Sequence, residues 1–317
     1  MQAPLKIVLH YAAGAGLTAR MAALAADGLD VTVCGDSDAR FDAAMREAEV
    51  LWHVLTPCTE AMMAGAPKLR LIQKIGTGVN TIDLPAAKAR GIAVCNLPGT
   101  NAPAVAEMTL LLMLAALRRL PVLDRATRAG VGWSLDAGLE DHFGELGERT
   151  VGLVGYGAVA RVLAPTLRAM GCRLLYAARA RQPKALGEWR SLPALLAESD
   201  VVSLHVPLTP ATESLIDAAA LARMKPGAVL VNTARGGLVD QAALVAALTS
   251  GRLAAAGLDV FVHEPAGADN PLFRLDNVVV APHVAWLTTG TFDRSFARAA
   301  ENCRRLRDGS PLLHRVQ

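Results

Sequence analysis

The stretch TVGLVGYGAVA, residues 150–160, decides the fold. Val151 to Val154 reads as a short buried strand. It runs straight into Gly155-Tyr-Gly157-Ala-Val-Ala160, the spacing of a glycine turn that opens a helix. Gly155 permits the tight turn, Gly157 lets backbone approach a ligand, and Ala160 fills the helix–sheet contact that a third glycine often occupies. The helix start offers N–H groups and the positive end of its dipole, both of which attract phosphate. A lone G-x-G-x-x-A is a weak signal, but a strand before it and a helix after it make a dinucleotide-binding turn. Gly155, Gly157, Ala158 and Val159 are its expected contacts.

The pattern on both sides of this turn alternates strands and helices. Downstream come a helix near 158–170, RLLYAA (173–178), DVVSLHVP (200–207) and a helix near 217–223. AVLVNTA (228–234), a helix near 240–250, AAAGLDVF (254–261) and NVVVAPH (277–283) follow. Upstream, KIVLHY (6–11), DVTVCG (30–35), EVLWHVL (49–55), RLIQKIG (70–76) and IAVCNL (92–97) are separated by helices near 17–27, 38–47, 58–65 and 83–90. Such alternation predicts right-handed βαβ units and parallel sheets. The fold class is α/β: two Rossmann- or flavodoxin-like doubly wound domains with a cleft between them. Residues 1–99 with 287–317 form the expected substrate-binding domain, and 100–286 the dinucleotide-binding domain. A long apolar helix is expected from Ala102 to Arg119, with Pro121 ending or kinking it. The glycine-containing stretch from there to Arg149, which includes Trp133, reads as loop-rich and is expected to wrap a subunit partner. A last helix, about 288–307, is expected to pack back on the first domain.

Bulk properties exclude several functions. The chain has 317 residues, 52% hydrophobic and 19% charged, as suits well-buried globular domains. A formal charge of +3 with no basic block argues against nucleic acid as a partner. Cys34, Cys58, Cys95, Cys172 and Cys303 form no C-x-x-C pair and no Cys/His cluster, so no metal site is expected. Free thiols suit a reducing cytoplasm. MQAPLKIVLHY reads as a strand, not a secretory signal, and the apolar run Met108 to Leu117 stops at Arg118 and Arg119, too short to span a membrane.

The end of the second strand of the dinucleotide half sets the cofactor. An NAD site places an acid about twenty residues after the glycines, to bond the ribose 2′-hydroxyl. Here Ala178 stands in that place, followed by Arg179 and Arg181. Guanidinium groups bind a phosphate bidentately where an acid would repel it. NADP(H) is therefore the expected cofactor, with NAD(H) as the lesser one.

Three later segments fall at strand ends, where open parallel sheets bind ligands. They are VNTARGGLVD (231–240) with Arg235, GLDVFVHEP (257–265) with Asp259 and Glu264, and APHVAW (281–286) with His283. Each is ordinary alone; their order, downstream of a dinucleotide turn, is specific. With GTGVNTIDL (76–84), GTNAPAVAE (99–107) and HVPLTPAT (205–212), these segments resemble the D-isomer-specific 2-hydroxyacid dehydrogenase family over nearly the whole chain, and glyoxylate/hydroxypyruvate reductase-like members in particular.

The resemblance implies roles. Arg235 would hold a substrate carboxylate and polarise the keto oxygen. His283 would be the general acid/base, and Glu264 would orient its imidazole and favour its charged form. Asp259 would face the nicotinamide side, while Val206, Pro207, Thr212 and Thr233 would join the cofactor contacts. Thr77 and the backbone of Gly78 and Val79 would bind substrate. A hinge near 99–101 and 285–288 and a homodimer are also implied. Phosphite dehydrogenases resemble this family but carry Lys where this chain has Thr77, and formate dehydrogenases carry Gln where it has Glu264. With no regulatory domain expected after residue 317, a short phosphoglycerate dehydrogenase-like enzyme is the alternative. Lys74 could meet a distal charge on the substrate, and Trp286 would wall a pocket for a small acid. A dinucleotide-sensing corepressor-like binding protein is the rival from another class.

Overall fold

The computed structural model describes residues 3–134, 138–139 and 143–317. The chain divides into two compact units, residues 1–101 with 288–317, and residues 102–287.

The first unit is a five-stranded parallel sheet among the described residues, in the order β2-β1-β3-β4-β5. Its strands are β1 (Leu5–His10), β2 (Leu29–Cys34), β3 (Val50–His53), β4 (Leu71–Lys74) and β5 (Ala93–Cys95). Leu9, Leu51, Trp52, Leu71 and Ile72 are fully buried, as continuous apolar runs covered on both faces must be. Helices α1 (Ala15–Ala23), α2 (Phe41–Glu47), α3 (Glu60–Ala64) and α4 (Leu84–Ala89) make the crossovers. Thr59 and Asp83 cap α3 and α4 through the amides of Met62 and Ala86. The terminal helix α11 (Thr289–Asp308) belongs to this unit. Phe296 packs on Trp52 with ring centroids 5.4 Å apart, and buried Asn302 donates to Gln73 Oε1 at 2.6 Å.

The second unit is a seven-stranded parallel sheet among the described residues, in the order β12-β11-β10-β9-β6-β7-β8. In chain order the strands are β6 (Thr150–Val154), β7 (Arg173–Ala177), β8 (Glu188–Trp189), β9 (Val201–Leu204), β10 (Ala228–Asn232), β11 (Leu253–Leu258) and β12 (Val278–Val280). The order reverses between β6 and β9, so the crevice outside their carboxyl ends is the expected ligand site. Helix α5 (Ala102–Leu117) is apolar apart from Glu107 and Thr109, and most of its residues are buried. Gly257 on β11 permits that contact: a Cβ there would stand 2.9 Å from Leu112 Cβ. The other helices are α6 (Leu120–Arg128), α7 (Ala158–Ala169), α8 (Leu192–Glu198), α9 (Ala218–Arg223) and α10 (Gln241–Thr249).

Pro121 does not lead into a loop, as the sequence suggested. It sits in the first turn of α6, where its missing N–H has no intrahelical acceptor to lose. Arg119, at φ +50°, breaks α5 from α6. The rest of the stretch expected to wrap a partner includes residues 135–137 and 140–142, which lie outside the described residues. Among the described residues no helix is long and apolar enough to cross a membrane, and all five cysteines are buried and unpaired with one another.

Candidate active site

The glycine turn is built as its sequence reads. Gly155 has φ +99°, and a Cβ there would lie 2.5 Å from the carbonyl oxygen of His205, the residue that follows β9. Only glycine fits this bend between two central strands. Gly157 differs: its backbone is extended, and a Cβ there would meet nothing within 4 Å. Among the described residues no atom requires a glycine at 157, and the space beside it is open, at the N-terminus of α7 where Ala158 and Val159 begin the first turn. An exposed helix start beside open space is a cradle that suits a pyrophosphate. Val206 packs close to the turn, its Cγ1 2.9 Å from the same Gly155 Cβ position. After Pro207, Thr212 closes a tight loop by donating to the Pro207 carbonyl at 2.7 Å and accepting from the Thr209 amide at 2.8 Å. The buried Thr233 hydroxyl is bonded at 2.9 Å to Thr109 of α5.

At the far end of this crevice a strap, residues 178–187, leaves β7. Arg179 and Arg181 lie on it and are exposed. The strap is pinned by two tyrosine hydroxyls: Tyr176 accepts from the Gln182 amide and Tyr156, inside the glycine turn, from the Leu186 amide, each at 2.8 Å. No acid stands at Ala178, whose carbonyl accepts from Trp189 Nε1 at 3.2 Å.

The catalytic candidates sit beyond β10, β11 and β12. Buried Asn232 shapes the first loop: its side chain accepts from the Ala234 amide at 3.0 Å and donates to the Arg235 carbonyl at 2.9 Å. Gly236 then lies so close to the backbone of Phe261 and Val262 that any Cβ would overlap it. That close approach brings the Arg235 loop beside the Glu264 loop. Glu264 Oε1 accepts from the Phe261 amide at 2.9 Å, and Oε2 meets His283 Nδ1 at 2.6 Å. A carboxylate only accepts, so Nδ1 carries the proton and Nε2 is left for chemistry. Burial pushes the Glu264 carboxyl up, but the bonds from His283 and Phe261, with the charges of His283 and Arg235, outweigh it and hold it below the usual range. Burial lowers the Arg235 guanidinium, and the Glu264 charge works against that shift. Arg235, Glu264 and His283 thus form one electrostatic group.

His283 is held in the left-handed region, at φ +56°. The agent is Asp259, fully buried at the end of β11. Its backbone carbonyl accepts from the His283 amide at 2.7 Å, and its two carboxylate oxygens accept from the amides of Val284 and Ala285 at 2.9 and 3.0 Å. Burial raises the Asp259 carboxyl, and those two amide bonds oppose the shift. Trp286 adds a brace by donating from Nε1 to the His283 carbonyl at 3.0 Å.

Within the first unit, Thr77, Gly78 and Val79 form the loop after β4. Asn96 Nδ2 donates to the Thr77 carbonyl at 2.8 Å, and the Val79 carbonyl accepts from Ile82 at 3.0 Å. Lys74, at the end of β4, is buried rather than offered at the surface: its Nζ donates to the Val54 carbonyl and lies 3.4 Å from His53 Nδ1.

The family model for the D-isomer specific 2-hydroxyacid dehydrogenase, NAD binding domain, matches residues 110–285. A glyoxylate reductase of Aeropyrum pernix is 42% identical over 265 residues, covering 81% of this chain and 79% of that protein. The chain belongs to the D-isomer specific 2-hydroxyacid dehydrogenase family. It is also 41% identical over 267 residues to a D-3-phosphoglycerate dehydrogenase of Mycobacterium tuberculosis, covering 83% of this chain but 50% of that protein. The chain thus spans about half the length of the phosphoglycerate dehydrogenases it matches. Among solved structures, the TT0316 protein from Thermus thermophilus superposes with a TM-score of 0.87 at 35% identity, covering 98% of this chain and 99% of that one.

For a member of this family, three features were out of reach of sequence reading. Asp259 holds the histidine turn, Trp286 braces it, and Gly236 lets the arginine and glutamate loops touch. The first and third depend on contacts between separate strand ends, whereas the Trp286 brace is local to the histidine loop. The G-G pair after Arg235 is the one local hint of a close approach.

Proposed function

We propose that this protein is an NADP(H)-preferring oxidoreductase that reduces a small 2-keto acid, of the glyoxylate or hydroxypyruvate kind, to the D-2-hydroxy acid. The observation that carries the reading is the 2.6 Å His283–Glu264 pair, with the Arg235 charge acting on the same carboxylate. Arg235 takes the substrate carboxylate in its fork and draws electron density from the keto oxygen. The dinucleotide, when bound, supplies the hydride. His283 gives the proton from Nε2 to the oxygen that becomes the hydroxyl, while Glu264 stabilises the imidazolium before transfer and keeps the ring oriented after it. In the reverse direction the same nitrogen takes the proton back. The turn held by Asp259 keeps the imidazole in place throughout. The contact roles given to Thr77, Gly78 and Val79, and the pocket wall given to Trp286, belong to the same proposal, as do a homodimer and a cytoplasmic location.

The cofactor preference rests on Ala178, where an acid would repel a 2′-phosphate, and on Arg179 and Arg181 beside it. The glyoxylate reductase relatives, 42% identical, support a small unphosphorylated acid. The phosphoglycerate dehydrogenase relatives keep a second reading open, oxidation of a phosphorylated hydroxy acid. One panel tests both: glyoxylate, hydroxypyruvate and phosphohydroxypyruvate, each with NADPH and NADH, followed at the nicotinamide absorbance. Turnover of the small acids with a lower KM for NADPH is expected. Preference for the phosphorylated acid would move the assignment to the second reading, and no turnover with any acid would leave a dinucleotide-binding protein.

A further inference from the structure

The arginines around the strap after β7 divide into two sets. Arg173 and Arg190 are fully engaged with acids: Arg173 with Glu188 at 3.0 Å and Glu198 at 3.2 Å, Arg190 with Glu188 at 2.7 Å and Glu198 at 2.8 Å. Arg161, Arg179 and Arg181 have no carboxylate within ion-pair distance among the described residues. Two of these three are nonetheless held. Arg181 lies over the Trp189 ring, its guanidinium carbon 5.3 Å from the ring centroid. Arg161, on the first turn of α7, donates to Gln182 Oε1 at 3.0 Å. Gln182 is itself fixed by Tyr176, and Trp189 by the Ala178 carbonyl. Neutral partners aim these cations without cancelling their charge. Arg161 is thus tied to the strap at Gln182, the residue after Arg181, and like charges held at adjacent points of one strap favour an anion.

We propose that Arg161, Arg179 and Arg181 form one anion site for the 2′-phosphate of the dinucleotide, in which Trp189 is a positioning residue for Arg181. A phosphomonoester carries about −1.5 to −2 charge at neutral pH, which suits several guanidinium groups and not one. The site rests on the NADP(H) reading and deepens it by adding Arg161, which sequence spacing did not single out, and Trp189.

The test is calorimetric binding of 2′,5′-ADP and 5′-AMP to the whole protein, with no turnover involved. The unsubstituted chain should bind 2′,5′-ADP at least about tenfold tighter, the size of one charge-assisted hydrogen bond. Arg161→Gln and Arg181→Gln should each remove about tenfold of 2′,5′-ADP affinity and leave 5′-AMP within about twofold. Trp189→Leu should follow Arg181→Gln, and Trp189→Phe, which keeps an aromatic face, should retain most of the affinity. Arg161 and Arg181 are exposed, so their substitution tests the site even where Trp189→Leu loses the fold. If the unsubstituted chain binds the two nucleotides equally, the NADP(H) reading itself fails. If it prefers 2′,5′-ADP but Arg161→Gln and Arg181→Gln leave that preference intact, NADP(H) stands and the shared site is overturned. If Trp189→Phe loses as much as Trp189→Leu, the aromatic platform is overturned.

Discussion

A methyl group added to each of the two turn glycines separates what the fold needs from what the ligand needs. At Gly155 the methyl would sit 2.5 Å from the His205 carbonyl oxygen, where 3.4 Å is ordinary contact, so something must move by 3.4 − 2.5 = 0.9 Å. The strand pair cannot easily yield, because the His205 amide donates to Val154 at 2.7 Å on the same edge. Gly155 also has φ +99°, which an L side chain resists by about 1–2 kcal/mol. Adding about 1–3 kcal/mol for overpacking gives about 2–5 kcal/mol in all. For a unit of this size that corresponds to a Tm loss of about 4–20 °C. Gly157→Ala meets no atom within 4 Å and keeps an allowed extended backbone, so it should leave Tm unchanged or raise it slightly through the unfolded chain. It should still weaken dinucleotide binding by about tenfold or more, because the methyl enters the cradle where the pyrophosphate approaches. Thermal melts paired with NADPH titration by calorimetry read both quantities. Gly157→Ala binding NADPH as tightly as the unsubstituted chain would refute the cradle, and Gly155→Ala melting within about 1 °C of it would refute the steric reasoning.

His283→Ala should leave NADPH affinity nearly intact while lowering kcat by about 10²–10⁴-fold, measured in steady state; near-normal kcat would remove His283 from its role. Asp259→Leu leaves the amides of Val284 and Ala285 without acceptors, and each orphaned donor costs about 1–3 kcal/mol; Asp259→Asn keeps one acceptor, so in urea unfolding it should lose less than Asp259→Leu, with turnover lost in both. His53 is fully buried, and burial, aided by the Lys74 charge, pushes it down to about 3 from 6.5. The unfolded chain therefore takes up a proton as pH falls below 6.5 while the folded chain does not. The stability contributed by neutral His53 is present above pH 6.5 and is lost on acidification toward pH 3, by up to about 1.4 kcal/mol per unit. His205 and His10, also pushed down by burial, add slope of the same sign, so His53→Gln should reduce the slope between pH 7 and pH 5 in unfolding series without abolishing it, and an unchanged slope would exclude a His53 contribution.

Much of this protein is legible locally. The alternation of short apolar runs with helical patterns, the glycine turn at 155–160, and the Arg235, Glu264 and His283 segments at strand ends are all stated in contiguous residues. They are legible because strand burial, tight turns and helix starts are set by a residue and its near neighbours. The missing acid at Ala178 is equally local. Contacts between distant segments are not. The order of strands in each sheet, with its reversal between β6 and β9, is a property of pairing across the fold. So is the inward turn of Asp259, which serves amides 25 and 26 residues later and sets the left-handed His283. Helix α6 replaced an expected loop because a proline that stops one helix is equally able to start the next. Arg161 reaches the strap only because α7 lies beside Gln182, 21 residues on. Sequence by itself determined which chemical groups stand at the strand ends. The tertiary structure alone decided which of them are held, by what, and facing which neighbour, because burial and hydrogen-bond partnership are settled only when remote segments pack together.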